Sequence, residues 1–211
     1  GGKTMTDVLK TLAALALGYL LGSLNTAVIV GRLYGKDIKR HGSKSAGLTN
    51  TLRVLGRPAA AIVLAGDFAK GVAACLIGLQ LGVYVSSGDA RDCVSLLAAG
   101  AGAVLGHNWP LYFGFKGGKG MLTAAAVMFM IHWPITLICL GFFVIVVALS
   151  RYVSLGTVSA AILFVAISFV PAFGTTLYFC GFAAVMALTI VYKHRENIQR
   201  LLAGAENKLR F

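Results

Sequence analysis

Between an apolar run that ends at Leu105 and another that opens at Met121, the chain reads Gly106-His107-Asn108-Trp109-Pro110 and then Phe115-Lys116-Gly117-Gly118-Lys119-Gly120. Two lysines bracket flexible backbone at the point where the next helix should begin. A helix N-terminus adds N–H donors and positive potential, so the stretch has the makings of an anion site. The competing account is a glycine hinge flanked by lysines that snorkel to a membrane surface. Either way, a polar loop between two long apolar segments decides the kind of fold to look for.

A second loop of the same character lies upstream, His41-Gly42-Ser43-Lys44-Ser45-Ala46-Gly47-Leu48-Thr49-Asn50-Thr51-Leu52-Arg53. Ser43, Ser45, Thr49 and Asn50 offer side-chain donors, and Gly42 and Gly47 permit tight turns. Arg53 follows Asn50 by three residues, so one helical turn would aim both the same way. Pro58 suits the start of the next helix. Read alone, this stretch serves equally well as a polar connector with a short amphipathic helix. Neither loop is a nucleotide P-loop, because G-x-x-x-x-G-K-[ST] is nowhere satisfied.

The composition fits a membrane bundle. Hydrophobic residues make up 58% and charged residues 12% of the 211, with mean hydropathy +0.82; soluble domains carry about 25% charged residues. A spanning helix needs about 20 mostly apolar residues. Seven segments qualify as candidates: Val8–Tyr34, Pro58–Val85, Cys93–Leu111, Met121–Trp133, Ile135–Ser150, Val153–Val170 and Thr175–Tyr192. The fourth and fifth are short and share the turn His132-Trp133-Pro134, so six spans is the alternative count. The expected fold is all-α and polytopic, a single integral-membrane domain over residues 5–211. Gly1-Gly2-Lys3-Thr4 ahead of Met5 reads as a cloning remnant outside it.

Basic residues set the orientation of such a bundle. With the N-terminus outside, the inner side receives Arg32, Lys36, Lys39, Arg40, Lys44, Arg53 and Arg57 in the first connection and Lys116 and Lys119 in the third. It also receives Arg151 in the fifth and Lys193, Arg195, Arg200, Lys208 and Arg210 in the tail, which makes 15 of the 19 basic residues. That asymmetry predicts seven spans, N-terminus out and C-terminus in. Much of the +12 net charge then serves topology and attraction to anionic lipid. Nucleic acid is not an expected partner, since no aromatic-basic platform stands outside the apolar segments.

Smaller signals fill in the same face. Ser154, in Arg151-Tyr152-Val153-Ser154-Leu155-Gly156, reads first as a cap for the next helix. His194 and Asn197 stand three apart on what reads as a continuing helix and could share a pocket. Asp67 and Lys70, also three apart, read as a self-neutralising pair within a span, although an intramembrane charge is a functional candidate by default. No metal site is expected, because no histidine pair shows zinc spacing and acids are few. Cys75, Cys93, Cys139 and Cys180 read as small apolar fillers. A transporter or channel for a small phosphate-bearing anion would also use basic loops. Such sites, however, tend to lie at the midplane between repeated halves, and no repeat is evident.

The motifs together resemble a known family. Gly22-Ser23-Leu24, the run from Gly35 through His41-Gly42-Ser43 to Gly47, Thr49-Asn50 and Arg53-Val54-Leu55-Gly56 are similar to its first motif. Gly106-His107, Pro110 and residues 115–120 are similar to its second, and Arg151–Gly156 with His194-Arg195-Glu196-Asn197 to the remaining stretches. The family is the bacterial acyl-phosphate-dependent glycerol-3-phosphate acyltransferases of the PlsY type. The resemblance implies a seven-span plasma-membrane enzyme, working on the cytoplasmic side without a cofactor and independently of acyl-CoA. It implies transfer of a fatty acyl group from acyl phosphate to the sn-1 hydroxyl of glycerol 3-phosphate, yielding lysophosphatidic acid and inorganic phosphate. Membrane lipids and the soluble enzyme that makes acyl phosphate are the implied partners. Ser43, Arg53, Lys116, Ser154, His194 and Asn197 become expected substrate-site residues, with Gly47, Thr49 and Asn50 in a phosphate-cradling loop and Gly117, Gly118 and Lys119 beside Lys116. His194 is the candidate general base, but the acyl-phosphate group is the favoured proton acceptor, since no carboxylate in the motifs orients a histidine. The chain departs from the family habit at Lys44-Ser45, where Gly-Asn often follows the serine, and at Asn25, where proline is common. No histidine begins a His-x-x-x-x-Asp, the signature expected of acyl-CoA-dependent acyltransferases.

Overall fold

In hydrocarbon a chain must satisfy its own backbone hydrogen bonds, so apolar runs of this length fold as helices. The computed structural model describes residues 4–85 and 88–209. Gly1, Gly2 and Lys3, ahead of Met5, and Arg210 of the charge count lie outside them. Among the described residues the chain is helical and has no strand, only an isolated antiparallel bridge between Tyr84 and Cys93. The helices are α1 (Met5–Gly22), α2 (Thr26–Leu33), α3 (Leu48–Leu55), α4 (Arg57–Leu81), α5 (Val94–Asn108), α6 (Met121–Ser150), α7 (Val153–Ser168), α8 (Leu177–Lys193) and α9 (Arg195–Leu202). They form two units, Gly1–Ile131 and His132–Phe211.

Among the described residues, three stretches are long and apolar enough to cross a membrane: Met5–Leu33, Arg57–Leu81 and Met121–Ser150. A fourth counts if α8 and α9, bent by 59°, are one span. The seven apolar segments all prove helical, with two changes of detail. The first segment is broken after Gly22, because Asn25 leaves the helical region and its Oδ1 accepts from Val28 N at 3.1 Å, restarting the chain as α2. The fourth and fifth segments are one helical run interrupted at His132 (φ −152°, ψ 79°). Pro134, two residues on, has no N–H to give the preceding turn, which accounts for a break there.

In the first unit α5 packs against α1 and α4. Gly18 and Gly22 on α1, and Gly102 and Gly106 on α5, repeat at four-residue spacing and let the two backbones meet. A Cβ added to any of the four would come within 2.1–2.3 Å of a carbonyl oxygen on the other helix. Overpacking of that kind costs about 1–3 kcal/mol where the neighbour can shift. The close fit matters for function because α5 ends at the glycine–lysine loop. The turn after it is tied back to α1: Tyr19 donates its hydroxyl to the Trp109 carbonyl at 2.7 Å, and Leu111 N donates to Ser23 Oγ at 3.2 Å.

In the second unit α7 packs on α8, with Phe164 and Phe179 edge to face at 5.7 Å. The four cysteines are buried free thiols. The tail does not continue α8 as one helix: it turns at His194 into α9, and Leu209 N reaches back to the Arg151 carbonyl at 2.8 Å.

Candidate active site

Asn50 builds the first loop from within. Only 1% exposed, it accepts from Ser43 N at 2.8 Å and donates Nδ2 to the Ile38 and His41 carbonyls, both at 3.0 Å. Its amide is spent on the loop, so Asn50 shapes the site and presents Ser43. Gly42 passes over that amide with φ +58°; a Cβ there would meet Asn50 Oδ1 at 2.3 Å, so glycine is required. Helical spacing would aim Asn50 and Arg53 the same way, but the structure leaves Arg53 exposed while Asn50 is sealed inside. Gly47 is the N-cap of α3 in extended backbone (φ −160°), with no side chain capping the helix and open space where a Cβ would stand. Thr49 is half-buried in the first turn of that helix.

The second loop lies directly before α6, as its sequence predicts. Gly118 is clamped: its N–H donates to the His107 carbonyl at 3.1 Å, and a Cβ would stand 2.2 Å from His107 Nε2 and 2.3 Å from the Ala46 carbonyl. Gly117 is pressed against the His107 carbonyl and the Pro110 ring. The Ser43–Asn50 loop and the Lys116–Lys119 loop therefore touch, at Ala46 and Gly118. Lys116 and Arg53 are exposed and, among the described residues, have no carboxylate or hydrogen-bond partner, while Lys119 is half-buried. This half of the predicted site presents backbone donors, a serine and two uncommitted cations.

The other predicted residues form a second cluster, within the second unit. Ser154 sits one residue inside α7 and is not its cap; its hydroxyl donates to Glu206 Oε1 at 2.9 Å. Asn197 Nδ2 donates to the same oxygen at 2.6 Å, and Arg200 Nε to Oε2 at 2.7 Å. Burial works to raise the Glu206 carboxyl, but the bonds from Asn197, Arg200 and Ser154, with the Arg200 charge, outweigh it and hold the group below the usual carboxylate range. His194, at the bend, donates Nδ1–H to the Ile190 carbonyl at 2.8 Å, which leaves the lone pair of the neutral ring on Nε2.

A chain with these two clusters has well-defined relatives. The profile of the glycerol-3-phosphate acyltransferase family matches residues 12–204. A glycerol-3-phosphate acyltransferase of Synechococcus sp. (strain CC9902) is 40% identical over 96% of both chains. One from Shouchella clausii (strain KSM-K16) is 40% identical over 96% of this chain and 97% of its own. The crystal structure of PlsY, an integral membrane glycerol 3-phosphate acyltransferase, in its glycerol 3-phosphate form superposes with a TM-score of 0.85. It shares 35% identity over 95% of this chain and 96% of that one. Its lysophosphatidic acid form gives 0.83.

This chain belongs to the glycerol-3-phosphate acyltransferase family.

The anion-transporter reading loses its footing, since these relatives are acyltransferases. The two departures from family habit acquire physical content. Asn25 both caps α2 and extends Nδ2 toward the Ala46 carbonyl at 3.5 Å, beside the contact with Gly118. Lys44 takes φ +58°, a left-handed conformation that favours glycine, so the acyltransferase holds a strained lysine at that turn. Sequence reasoning missed Glu206 altogether. One of seven acidic residues, and one of two in a basic tail, it had that scarcity as its available signal.

Proposed function

We propose that the chain transfers a fatty acyl group from acyl phosphate to the sn-1 hydroxyl of glycerol 3-phosphate, giving lysophosphatidic acid and inorganic phosphate without acyl-CoA. The observation that carries this reading is the contact between two glycine-rich loops, with Ser43, Arg53 and Lys116 left uncommitted beside it. An acyl phosphate is a mixed anhydride whose phosphate departs without strong acid help. The protein's task is to hold two anionic substrates together against their repulsion, which Arg53 and Lys116 serve through charge and the loops through backbone N–H groups. The substrate hydroxyl attacks the acyl carbon, the carbon–oxygen bond to phosphate breaks, and the hydroxyl proton passes to a phosphate oxygen.

One observation favours a second reading of the proton's path. No carboxylate in the motifs is expected to orient His194, but the Ile190 carbonyl accepts from its Nδ1–H and supports a ring with Nε2 as acceptor. In that reading Nε2 takes the proton, and Ser154 and Asn197 belong with it in the same reaction. The proposal includes seven spans in the bacterial plasma membrane as one domain over residues 5–211, the N-terminus outside, the loops at the cytoplasmic face, and supply of acyl phosphate by a soluble enzyme. The test is an assay of purified protein with glycerol 3-phosphate and either palmitoyl phosphate or palmitoyl-CoA. Product should form with the first alone; equal turnover with palmitoyl-CoA would reject the donor assignment.

A further inference from the structure

An aspartate and a lysine inside an apolar helix are costly unless their polar atoms are paired. Asp67 and Lys70 of α4 are 1% and 7% exposed. An ammonium has three donors and no acceptor, and Lys70 Nζ has three partners: Asp67 Oδ1 at 2.8 Å, the Leu24 carbonyl at 3.0 Å and His107 Nδ1 at 2.9 Å. Because an ammonium only donates, His107 Nδ1 accepts, and the proton of the neutral ring is placed on Nε2. Asp67 Oδ1, 3.6 Å from Nδ1, is too distant to hold a proton there.

The Nε2 edge is the one that lies against Gly118, while the His107 carbonyl takes the Gly118 N–H. A second link runs from the same place. Thr123 Oγ1, in the first turn of α6, donates to the Asp67 carbonyl at 3.2 Å. Gly71 lets α4 approach that turn, since a Cβ there would stand 3.0 Å from the Thr123 carbonyl. Helix α4 thus holds both ends of the Lys116–Lys119 loop: its buried ion pair through His107 before the loop, and the Asp67 backbone carbonyl through Thr123 after it. An ion pair that served only to neutralise itself would not need the contact with His107.

We propose that Asp67, Lys70 and His107 are positioning residues: the ion pair fixes the orientation and tautomer of His107, and His107 seats Gly118 so that Lys116 and Lys119 stand beside the Ser43–Asn50 loop. This rests on reading those loops as the glycerol 3-phosphate site. The test is the paired substitution Asp67→Leu with Lys70→Met, which removes both charges together, an exchange that is often neutral for folding. In the purified variant, KM for glycerol 3-phosphate should rise about tenfold with kcat within about threefold, the signature of lost substrate positioning. Amide exchange of residues 115–120, followed without substrate, should quicken about tenfold while α4 and α5 stay protected. His107→Gln, which carries an N–H near the Nε2 position, should keep KM within about threefold of wild type, whereas His107→Ala should not. Unchanged KM and loop exchange in the paired variant would overturn the proposal, as would exchange that quickens evenly through every helix. Loop exchange that responds in a protein whose wild type transfers no acyl group would instead reject the functional reading and leave the positioning intact.

Discussion

Replacing Gly47 with alanine separates a glycine needed for binding from one needed for folding. Gly47 has extended backbone that any residue adopts, and its Cβ position meets nothing within 4 Å. On the fold alone, Gly47→Ala is harmless and should stabilise by about 0.4–1 kcal/mol through the unfolded chain. Yet the open space lies at the N-terminus of α3, where the first amides have no side-chain cap. A phosphate seated on those amides would meet the new methyl group. Losing one charge-assisted hydrogen bond costs about 1.5–3 kcal/mol, so at about 1.4 kcal/mol per decade KM for glycerol 3-phosphate should rise roughly 10–100-fold. Gly118→Ala is the counterpart, since its Cβ would collide with His107 Nε2 and the Ala46 carbonyl. That overpacking costs about 1–3 kcal/mol and should lower the melting temperature together with activity. Steady-state kinetics at saturating acyl phosphate, paired with thermal melts, read both. A Gly47→Ala enzyme with wild-type KM would refute phosphate binding at α3.

Arg53→Ala and Lys116→Ala should each lower kcat/KM at least about tenfold with unchanged melting, whereas Arg57→Ala, on the same face, should change it little; equal losses in all three would reduce the basic face to a general electrostatic surface. His194→Ala should keep kcat within about tenfold if phosphate takes the proton and lose about 100–10,000-fold if Nε2 does, a difference single-turnover kinetics resolves. Glu206 has a depressed carboxyl in the folded state, so its stabilising contribution is full above the ordinary glutamate pKa of about 4.3 and fades as pH falls through the lower folded value. Melts from pH 7 downward should show that acid-dependent loss in wild type and not in Glu206→Gln, which should already be less stable at pH 7. Single cysteines in a cysteine-free background should be labelled from outside intact cells at position 89 and not at 208, and the reverse pattern would invert the proposed topology.

The apolar segments and both loops of the first unit were legible because their signals are local: runs of hydrophobic residues, a proline at a helix start, glycines beside lysines. The partition of roles inside the loops was not. Asn50 and Arg53 read as equals at helical spacing, and only the fold reveals that one is consumed internally and the other left outside. Glu206 was invisible for a different reason. Its partners are 52, 9 and 6 residues away, and no periodicity connects a tail glutamate to the first turn of α7. The bend at His194 was missed because the residues on either side favour helix equally well. The α1–α5 contact, by contrast, is written in the four-residue spacing of Gly18 and Gly22 and of Gly102 and Gly106, a local signal that carries no polar group.

These roles sort by burial into frame and working groups, and the chemistry accounts for the division. In the proposed reaction acyl phosphate carries its own good leaving group, which would ask the protein for charge neutralisation and placement rather than for a strong acid. Neutralising groups must stay uncommitted until substrate arrives, since a cation already paired with a carboxylate would need that pair broken first. Arg53 and Lys116 meet this condition, and the acids on either side of Arg53 along the chain are engaged elsewhere: Asp37 with Arg40 and Asp67 with Lys70. Placement calls for the opposite, side chains already engaged within the fold, and Asn50, Lys70 and Glu206 are of that kind. The two classes should therefore fail differently under mutation. Loss of a working group should leave a folded protein that binds poorly, and loss of a frame residue should loosen a loop before it touches the chemical step.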